Sequence, residues 1–127
     1  MIMEPKFFLF YVEDIGTSVA FYTDLLGITP QRPSPVFASF RLPSGVYFEL
    51  KTRASASPAI EAAAGTVDIC FAADNREDVE QRCADWRERG MRIALAPTDE
   101  VYGYTFVALD PDGHRLRVIF DPNGSAA

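Results

Sequence analysis

The sequence is poor in several features that mark whole classes of protein. Its 127 residues include one histidine and two cysteines, and 12 lysines and arginines stand against 18 aspartates and glutamates, a net charge of -6. A surface this acidic disfavours binding to the phosphates of nucleic acids. Cys70 and Cys83 lack the CxxC spacing of zinc sites and redox motifs. We therefore expect both to be reduced, small, buried side chains.

Long apolar runs are also missing. No segment approaches the length needed to span a bilayer. Residues 1–6 lack the basic region, apolar run and small-residue cleavage site of a signal peptide. We expect a cytoplasmic protein without membrane contacts. The apolar share of 48% and charged share of 24% are typical of a globular chain, and the length fits a single domain over residues 1–127.

The first half of the chain predicts one strand, one helix and three further strands. Residues 6–12 are apolar and aromatic, as in a buried strand. Asp14 is a suitable N-cap and Gly27 a suitable terminator, with apolar residues between them at helical spacing. Pro33 and Pro35 interrupt the segment after this helix. The predicted elements are a strand over 6–12, a helix between Asp14 and Gly27, and strands over 28–32, 36–42 and 46–51.

The second half repeats this order after a segment rich in Ala and Ser. Residues 53–65 resemble a linker with one helical turn at 60–64. Asp74 is a candidate N-cap, and Glu77 three residues later completes a capping box. Gly90 is the predicted terminator of this helix. The other predicted elements are strands over 67–72, 92–96 (ending before Pro97), 102–109 and 114–120.

The two halves can be superimposed by counting. Residues 37–50 precede residues 105–118 by 68 positions, which aligns the turn glycines Gly45 and Gly113, and Glu49 with Arg117. The strand-to-helix junctions are 60 positions apart. A repeat of half the chain length indicates two similar units that each bury one face of a sheet. We predict an α+β fold of two βαβββ modules, residues 6–52 and 66–121, whose curved mixed sheets form a cleft.

Both modules resemble the vicinal-oxygen-chelate superfamily, which includes glyoxalases, bleomycin-resistance proteins and extradiol dioxygenases. The matching segments are YVED at 11–14, SVAFY at 18–22, LLG at 25–27 and DPDGH at 110–114. Residues 102–106 running into 110–118 resemble the antibiotic-sequestering branch, which includes bleomycin- and phenazine-resistance proteins. The resemblance implies a homodimer whose clefts combine one module from each chain.

The resemblance also implies four positions for metal ligands, on the first and last strand of each module. They fall on Phe7, Glu49, Asp68 and Arg117. Metal-dependent members use His, Glu or Gln there, and only Glu49 is typical. Phe7 offers no ligand atom, and the protonated guanidinium of Arg117 has no acceptor and repels cations. We expect no metal and no other cofactor.

Strand alternation gives these positions a common side of each sheet. Glu49 and Arg117 occupy equivalent positions, so we consider that they form an ion pair, which either binds ligand or merely fills the former metal site. Six rings are candidates for an aromatic wall against planar molecules, although each also suits ordinary strand packing. The candidate ligand-binding residues are Phe7, Tyr11, Phe37, Tyr47, Glu49, Asp68, Tyr102, Tyr104 and Arg117.

Three functions are compatible with this pattern. The leading interpretation is a metal-free protein that sequesters a small aromatic, antibiotic-like molecule in its cleft. The alternative is a metal-dependent lyase, isomerase or dioxygenase in which Glu49 is ligand or base, aided by Asp68. The third is a dimeric scaffold without activity. Whether the chain is an enzyme stays open, and no catalytic residue other than Glu49 is suggested.

Overall fold

The computed structural model describes residues 2–124 of the chain. These residues form two compact units, which divide between Ala62 and Ala63, within the segment predicted to be a linker. Each unit holds one helix and one four-stranded mixed sheet. The predicted α+β class with two βαβββ modules is confirmed.

The first unit contains a sheet in the order β1-β4-β3-β2. Strand β1 runs parallel to β4, while the β4–β3 and β3–β2 pairs are antiparallel. The parallel pair requires a crossover, which the helix α1 and two strands supply. The elements are β1 (Phe7–Val12), α1 (Ile15–Leu26), β2 (Gln31–Ser34), β3 (Phe37–Arg41) and β4 (Tyr47–Thr52).

Both ends of α1 are where the sequence predicts them. The Asp14 carboxylate accepts hydrogen bonds from the Thr17 backbone N–H at 2.8 Å and the Thr17 hydroxyl at 2.7 Å. Gly27 follows the last turn in the left-handed region, at φ 69°. The buried Tyr22 of α1 packs against Phe48 of β4, with 4.7 Å between ring centroids. One side of this sheet thus forms the core of the first unit.

The second unit repeats this topology. Its sheet has the order β5-β8-β7-β6, with β5 and β8 parallel and the other pairs antiparallel. Trp86 of its helix packs edge-on against Phe106, with centroids 5.3 Å apart. The elements are β5 (Asp68–Ala72), α2 (Arg76–Glu88), β6 (Arg92–Glu100), β7 (Gly103–Leu109) and β8 (Arg115–Phe120).

The start of α2 corrects one prediction. Asn75, not Asp74, is the N-cap, and its side-chain oxygen accepts a hydrogen bond from the Asp78 backbone N–H at 2.7 Å. The carboxylate of Asp78 in turn accepts from the Asp74 backbone N–H at 3.0 Å. Two side-chain acceptors therefore cap the helix, but they are Asn75 and Asp78, one residue later than the predicted Asp74 and Glu77. Gly90 has φ 89° just after the helix.

Two strands run through prolines at which we predicted breaks. Strand β2 includes Pro33, and β6 continues through Pro97 as far as Glu100. Both are edge strands, where the missing N–H can face away from the sheet, and register shifts occur in both pairings. The helical turn predicted at 60–64 is also wrong, because a short 3₁₀ turn lies at Arg53–Ser55 instead. Within residues 2–124, neither helix has the length and apolarity to cross a membrane.

Candidate ligand-binding faces of the two sheets

The strand register establishes which positions of the two units correspond. Phe7 pairs with Tyr47 in the first sheet, and Asp68 pairs with Arg115 in the second. Phe7 and Asp68 therefore occupy the same position, as predicted, and Glu49 corresponds to Arg117 two residues further along each last strand. The first strands are offset by 61 residues, not 60, which agrees with the shift of the helix cap to Asn75.

The side of the first sheet away from α1 carries five predicted site residues. Directly paired residues project to the same side of a sheet. The register defines three rows, and we call this side the first open face: Phe7–Tyr47–Arg41, Leu9–Glu49–Ser39 and Tyr11–Lys51–Phe37. The rings of Phe7, Tyr11, Phe37 and Tyr47 thus lie at the two ends of this face, with Glu49 between them.

Glu49 has a polar partner within its own row. The Ser39 hydroxyl donates a hydrogen bond to the Glu49 carboxylate at 2.8 Å. The predicted pairing of Glu49 with Arg117 would join the two units and stays a prediction.

The rings at one end of the first open face differ in their surroundings. Phe7 is 56% exposed, whereas the Lys6 ammonium lies over the Tyr47 ring, 5.9 Å from its centroid.

The corresponding side of the second sheet, the second open face, has an ionic cluster instead. Asp68 on β5 lies between two arginines of β8. Its Oδ2 accepts a hydrogen bond from Arg117 Nε at 2.9 Å, and its Oδ1 lies 2.7 Å from Arg115 Nε. Because β5 and β8 are parallel neighbours, this cluster joins residues 47 and 49 positions apart in sequence.

Arg117 is the most enclosed charge of the cluster. Its side chain is 11% exposed, and its Nη1 donates to the Thr105 hydroxyl at 3.1 Å. The Tyr102 ring centroid lies 5.4 Å from the guanidinium carbon. Burial acts to lower the pKa of Arg117, but the hydrogen bond to Asp68 and the neighbouring Tyr102 outweigh it, so the pKa is raised. The guanidinium is therefore a fixed positive charge.

Tyr102 reaches this cluster from the turn between β6 and β7. Gly103 begins β7 at φ 146°, and a Cβ there would collide with the carbonyl oxygen of Phe120 on β8. Glycine thus permits the close approach of the two strands. Tyr102 just before it is 50% exposed, so its ring offers an accessible surface beside Arg117.

Tyr104 lies on the opposite side of the sheet. It is 8% exposed, its hydroxyl donates to Glu80 of α2 at 2.9 Å, and the Arg76 guanidinium covers its ring at 3.8 Å. The hydrogen bond to Glu80 raises the pKa of Tyr104. Arg76 also binds Asp99 through two contacts of 2.6 and 3.3 Å. Tyr104 therefore does not share a face with Arg117, and the structure separates it from the other predicted rings.

A pocket of about 540 Å³ opens beside Arg76, Tyr102 and Tyr104. Three carboxylate residues, Asp99, Glu100 and Asp121, also line it. Its one guanidinium is already bound by Asp99 and stacked on Tyr104. The positive charge of this pocket is thus already neutralised, whereas the charges of the second open face do not balance.

Cys70 lies on the second open face, as strand alternation predicts, although we did not count it among the candidate ligand-binding residues. It pairs with Arg117 in the register and is exposed, which corrects the prediction of a buried thiol, whereas Cys83 is buried as predicted. Partial desolvation by neighbouring atoms and the Asp68 charge raise the pKa of Cys70, against an opposing effect of Arg117. The thiol is therefore protonated near neutral pH. Alternation along β5 places it beside Arg117, so the pattern contained this signal.

The residues at the four equivalent positions do not fit a divalent metal. Phe7 has no ligand atom, Arg117 is a fixed cation, and both oxygens of Asp68 already contact arginines. Glu49 alone has a typical ligand oxygen. Within residues 2–124, no three His, Cys, Asp or Glu side chains are grouped so as to hold a metal ion.

Similarity to known proteins covers nearly the whole chain. The family model of the Glyoxalase/Bleomycin resistance protein/Dioxygenase superfamily matches residues 5–118. No curated protein matches the chain.

Several solved structures share the fold. A protein from Agrobacterium tumefaciens, solved by NMR in solution, is 34% identical, with 94% of this chain and 98% of that chain covered and a TM-score of 0.83. A glyoxalase/bleomycin resistance protein/dioxygenase from Nocardioides is 23% identical, with 98% and 89% covered and a TM-score of 0.81. A glyoxalase-related enzyme from Fulvimarina pelagi is 16% identical, with 95% and 90% covered and a TM-score of 0.81. The last two similarities concern the fold alone.

Proposed function

Because the chain belongs to the glyoxalase/bleomycin resistance protein/dioxygenase superfamily, we propose that it binds a small aromatic, antibiotic-like molecule without the help of a metal ion. The observation that carries this proposal is the fixed position of the Arg117 guanidinium. Its guanidinium stands where metal-dependent relatives have a ligand, and Asp68 and Thr105 hold it there through hydrogen bonds.

The charge of Arg117 opposes any cation at this position. Two unit charges 4 Å apart interact by about 4 kcal/mol at the effective dielectric constant typical of protein surfaces. Asp68 offsets one positive charge, but Arg115 adds a second. A divalent ion at this position would therefore be repelled by the guanidinium groups, where it requires a ligand atom that donates an electron pair.

Aromatic rings supply the attraction for a planar ligand. On the first open face, Phe7 is largely exposed and pairs with Tyr47. On the second, the half-exposed ring of Tyr102 lies beside Arg117. A well-placed aromatic pair contributes about 0.5–1.5 kcal/mol beyond the area it buries. Exposed rings of this kind are typical of ligand sites lined by apolar groups with a few polar ones.

The proposed mechanism is stoichiometric capture. The ligand is held by stacking, apolar burial and a polar contact with Arg117. Its covalent bonds stay intact, and its free concentration falls as the complex forms. The protein's own side chains serve only to bind and orient it. An enzyme of the same superfamily would instead need Glu49 as base or metal ligand, yet Glu49 accepts a hydrogen bond from Ser39 and has no second acidic partner in its row.

A titration with phenazine-1-carboxylate, a planar tricyclic probe, tests the proposal. Protein purified without chelator is analysed for metals, divided, and half is treated with EDTA. We expect the EDTA-treated and untreated samples to bind the probe with the same affinity. The backbone amides of β1, β4, β5 and β8 should shift in ¹H–¹⁵N spectra. Arg117→Met should weaken binding about tenfold, the effect of a charge-assisted hydrogen bond.

The control is Arg87→Met, which removes the same charge from the exposed side of α2. It should leave the affinity unchanged. The proposal fails if untreated protein does not bind the probe. It also fails if a stoichiometric divalent ion is present and is lost, together with a catalytic activity, in Glu49→Ala, because that result would favour the lyase, isomerase or dioxygenase.

A further inference from the structure

We infer that the molecule bound by the second open face carries a carboxylate, which Arg115 and Arg117 recognise. This inference rests on the function proposed above and specifies the charge of the ligand. It starts from a local excess of positive charge in a chain whose net charge is -6.

The charges of the second open face do not cancel. The register places Arg115 and Arg117 on this side with Asp68 as their one carboxylate. Arg92 and Glu100, paired with Leu109 and Gly103, lie at opposite ends of the same face and together add no net charge to it. One positive charge remains, and it lies at the centre of the sheet.

The hydrogen bonds leave guanidinium donors available. Both oxygens of Asp68 already contact arginines, Oδ2 through Arg117 and Oδ1 through Arg115. Arg117 uses Nε for Asp68 and Nη1 for Thr105, so at least one of its three nitrogens, Nη2, remains for a ligand. The Thr105 hydroxyl is itself engaged with the carbonyl oxygen of Val118 at 2.8 Å.

Arg115 provides the second available group. Its Nε is shielded from solvent, and among residues 2–124 it finds no hydrogen-bond acceptor, because its N–H does not point at Asp68 despite the short contact. The side chain as a whole is 41% exposed, so its outer end reaches the open face. The donors that an added oxyanion can reach are therefore the two Nη groups of Arg115, and not its shielded Nε.

The geometry favours a planar carboxylate joined to an aromatic ring. Guanidinium groups bind carboxylates through paired, parallel hydrogen bonds. The Tyr102 ring lies 5.4 Å from the Arg117 guanidinium, so the ring of an aromatic acid can stack on Tyr102 while its carboxylate contacts the arginines. A purely structural cluster, which only fastens β5 to β8, would show no preference for anionic molecules.

A matched pair of probes separates these roles. Phenazine-1-carboxylate and phenazine-1-carboxamide have the same planar skeleton and differ in charge. We expect the full-length protein to bind the carboxylate at least about tenfold more tightly, in keeping with one charge-assisted interaction. The Nε–Hε resonances of Arg115 and Arg117 should shift with the carboxylate and much less with the carboxamide.

Arg115→Met should reduce the preference for the carboxylate about tenfold while carboxamide binding stays within about twofold. Arg115→Lys keeps the charge and should restore part of the preference, and Arg87→Met should not alter it. Circular dichroism and a cooperative unfolding transition verify that each variant is folded.

The outcomes distinguish the two proposals. Equal affinity of the wild-type protein for both probes overturns the carboxylate inference and leaves the binding function standing. An unchanged preference in folded Arg115→Met overturns the assignment to this cluster. If the protein binds neither probe, the proposed function is overturned, and the carboxylate inference with it.

Discussion

The two sheets can be compared row by row, because their strand order and register are the same. Their helix-facing sides are chemically alike. Phe48 meets Tyr22 of α1 in the first unit, and Phe106 meets Trp86 of α2 in the second. Their open faces differ at every equivalent position considered: Phe7 corresponds to Asp68, Tyr47 to Arg115 and Glu49 to Arg117.

This difference shows where the fold constrains the sequence. A helix-facing position must fill a close-packed core, and a charge there would lose its hydration without compensation. An open-face position points away from the helix of its own unit, so it is free of that packing constraint and needs only to be compatible with a strand. The first face therefore holds rings around Glu49 and Ser39 and the second holds ions around Asp68, although the backbone beneath them is the same.

The largest expected effect comes from removing the carboxylate that joins the ionic cluster. Asp68→Asn leaves two partly buried guanidinium groups without a counter-charge, which should lower the free energy of unfolding by about 2 kcal/mol. Urea denaturation followed by Trp86 fluorescence measures this change. A loss below about 0.5 kcal/mol, the range of ordinary surface substitutions, would mean that the cluster has no structural role.

A smaller effect is expected at the start of α2. Asn75→Ala removes the acceptor for the Asp78 backbone N–H and should cost about 1 kcal/mol. Asp74→Ala is the matched control, because only its backbone N–H takes part in the cap. Equal losses in the two variants, measured by urea denaturation, would show that the cap has been placed one residue too late.

The two caps also differ in their response to acid. Hydrogen bonds from the Thr17 hydroxyl and backbone N–H lower the pKa of Asp14. The stabilisation from its carboxylate is therefore complete above the unfolded-state pKa of about 3.9, and it is lost as the pH falls through the lower folded-state value. Asn75 does not titrate.

Exchanging the two cap types tests this contrast. Asp14→Asn should weaken the dependence of unfolding free energy on pH below about pH 4, and Asn75→Asp should strengthen it. Denaturation across the acidic range, on both sides of that pH, measures both slopes. The Asp74 backbone N–H lowers the pKa of Asp78, so Asp78 also contributes to the pH dependence. Both variants retain Asp78, and its contribution therefore does not distinguish them. Identical slopes in the two proteins would contradict the assignment.

The smallest effect is expected at the counterpart of Arg117 in the first sheet. Glu49→Gln keeps an oxygen that can accept from the Ser39 hydroxyl. The free energy of unfolding should stay within about 0.5 kcal/mol of the wild-type value. A large loss here, comparable with that of Asp68→Asn, would remove the distinction between a polar first face and an ionic second face.

Much of this architecture can be predicted from sequence because the repeat and the apolar alternation depend on local spacing. The errors at β2 and β6 arose because proline is excluded from central strands but tolerated in edge strands. Which strands lie at an edge cannot be predicted from local sequence. The partner of Arg117 was missed for the same reason. Asp68 reaches it only through the parallel pairing of β5 with β8, across 49 residues.

Tyr104 illustrates a different limit. The predicted strand over 102–109 would give Tyr102 and Tyr104 the same face, because side chains alternate along a strand. Tyr102 lies in the turn before β7, however, so alternation begins only at Gly103. The ring of Tyr104 consequently lies under Arg76, on the side of α2.

The exposure of Cys70 gives the molecule an attachment point for a reporter group. Cys83, the only other cysteine, is 2% exposed, so a maleimide dye or spin label should modify Cys70 selectively. Because the pKa of Cys70 is raised, labelling is fastest in mildly alkaline buffer. Since Cys70 pairs with Arg117 in the strand register, the label would signal occupancy of the second open face directly, even for colourless compounds screened in large numbers.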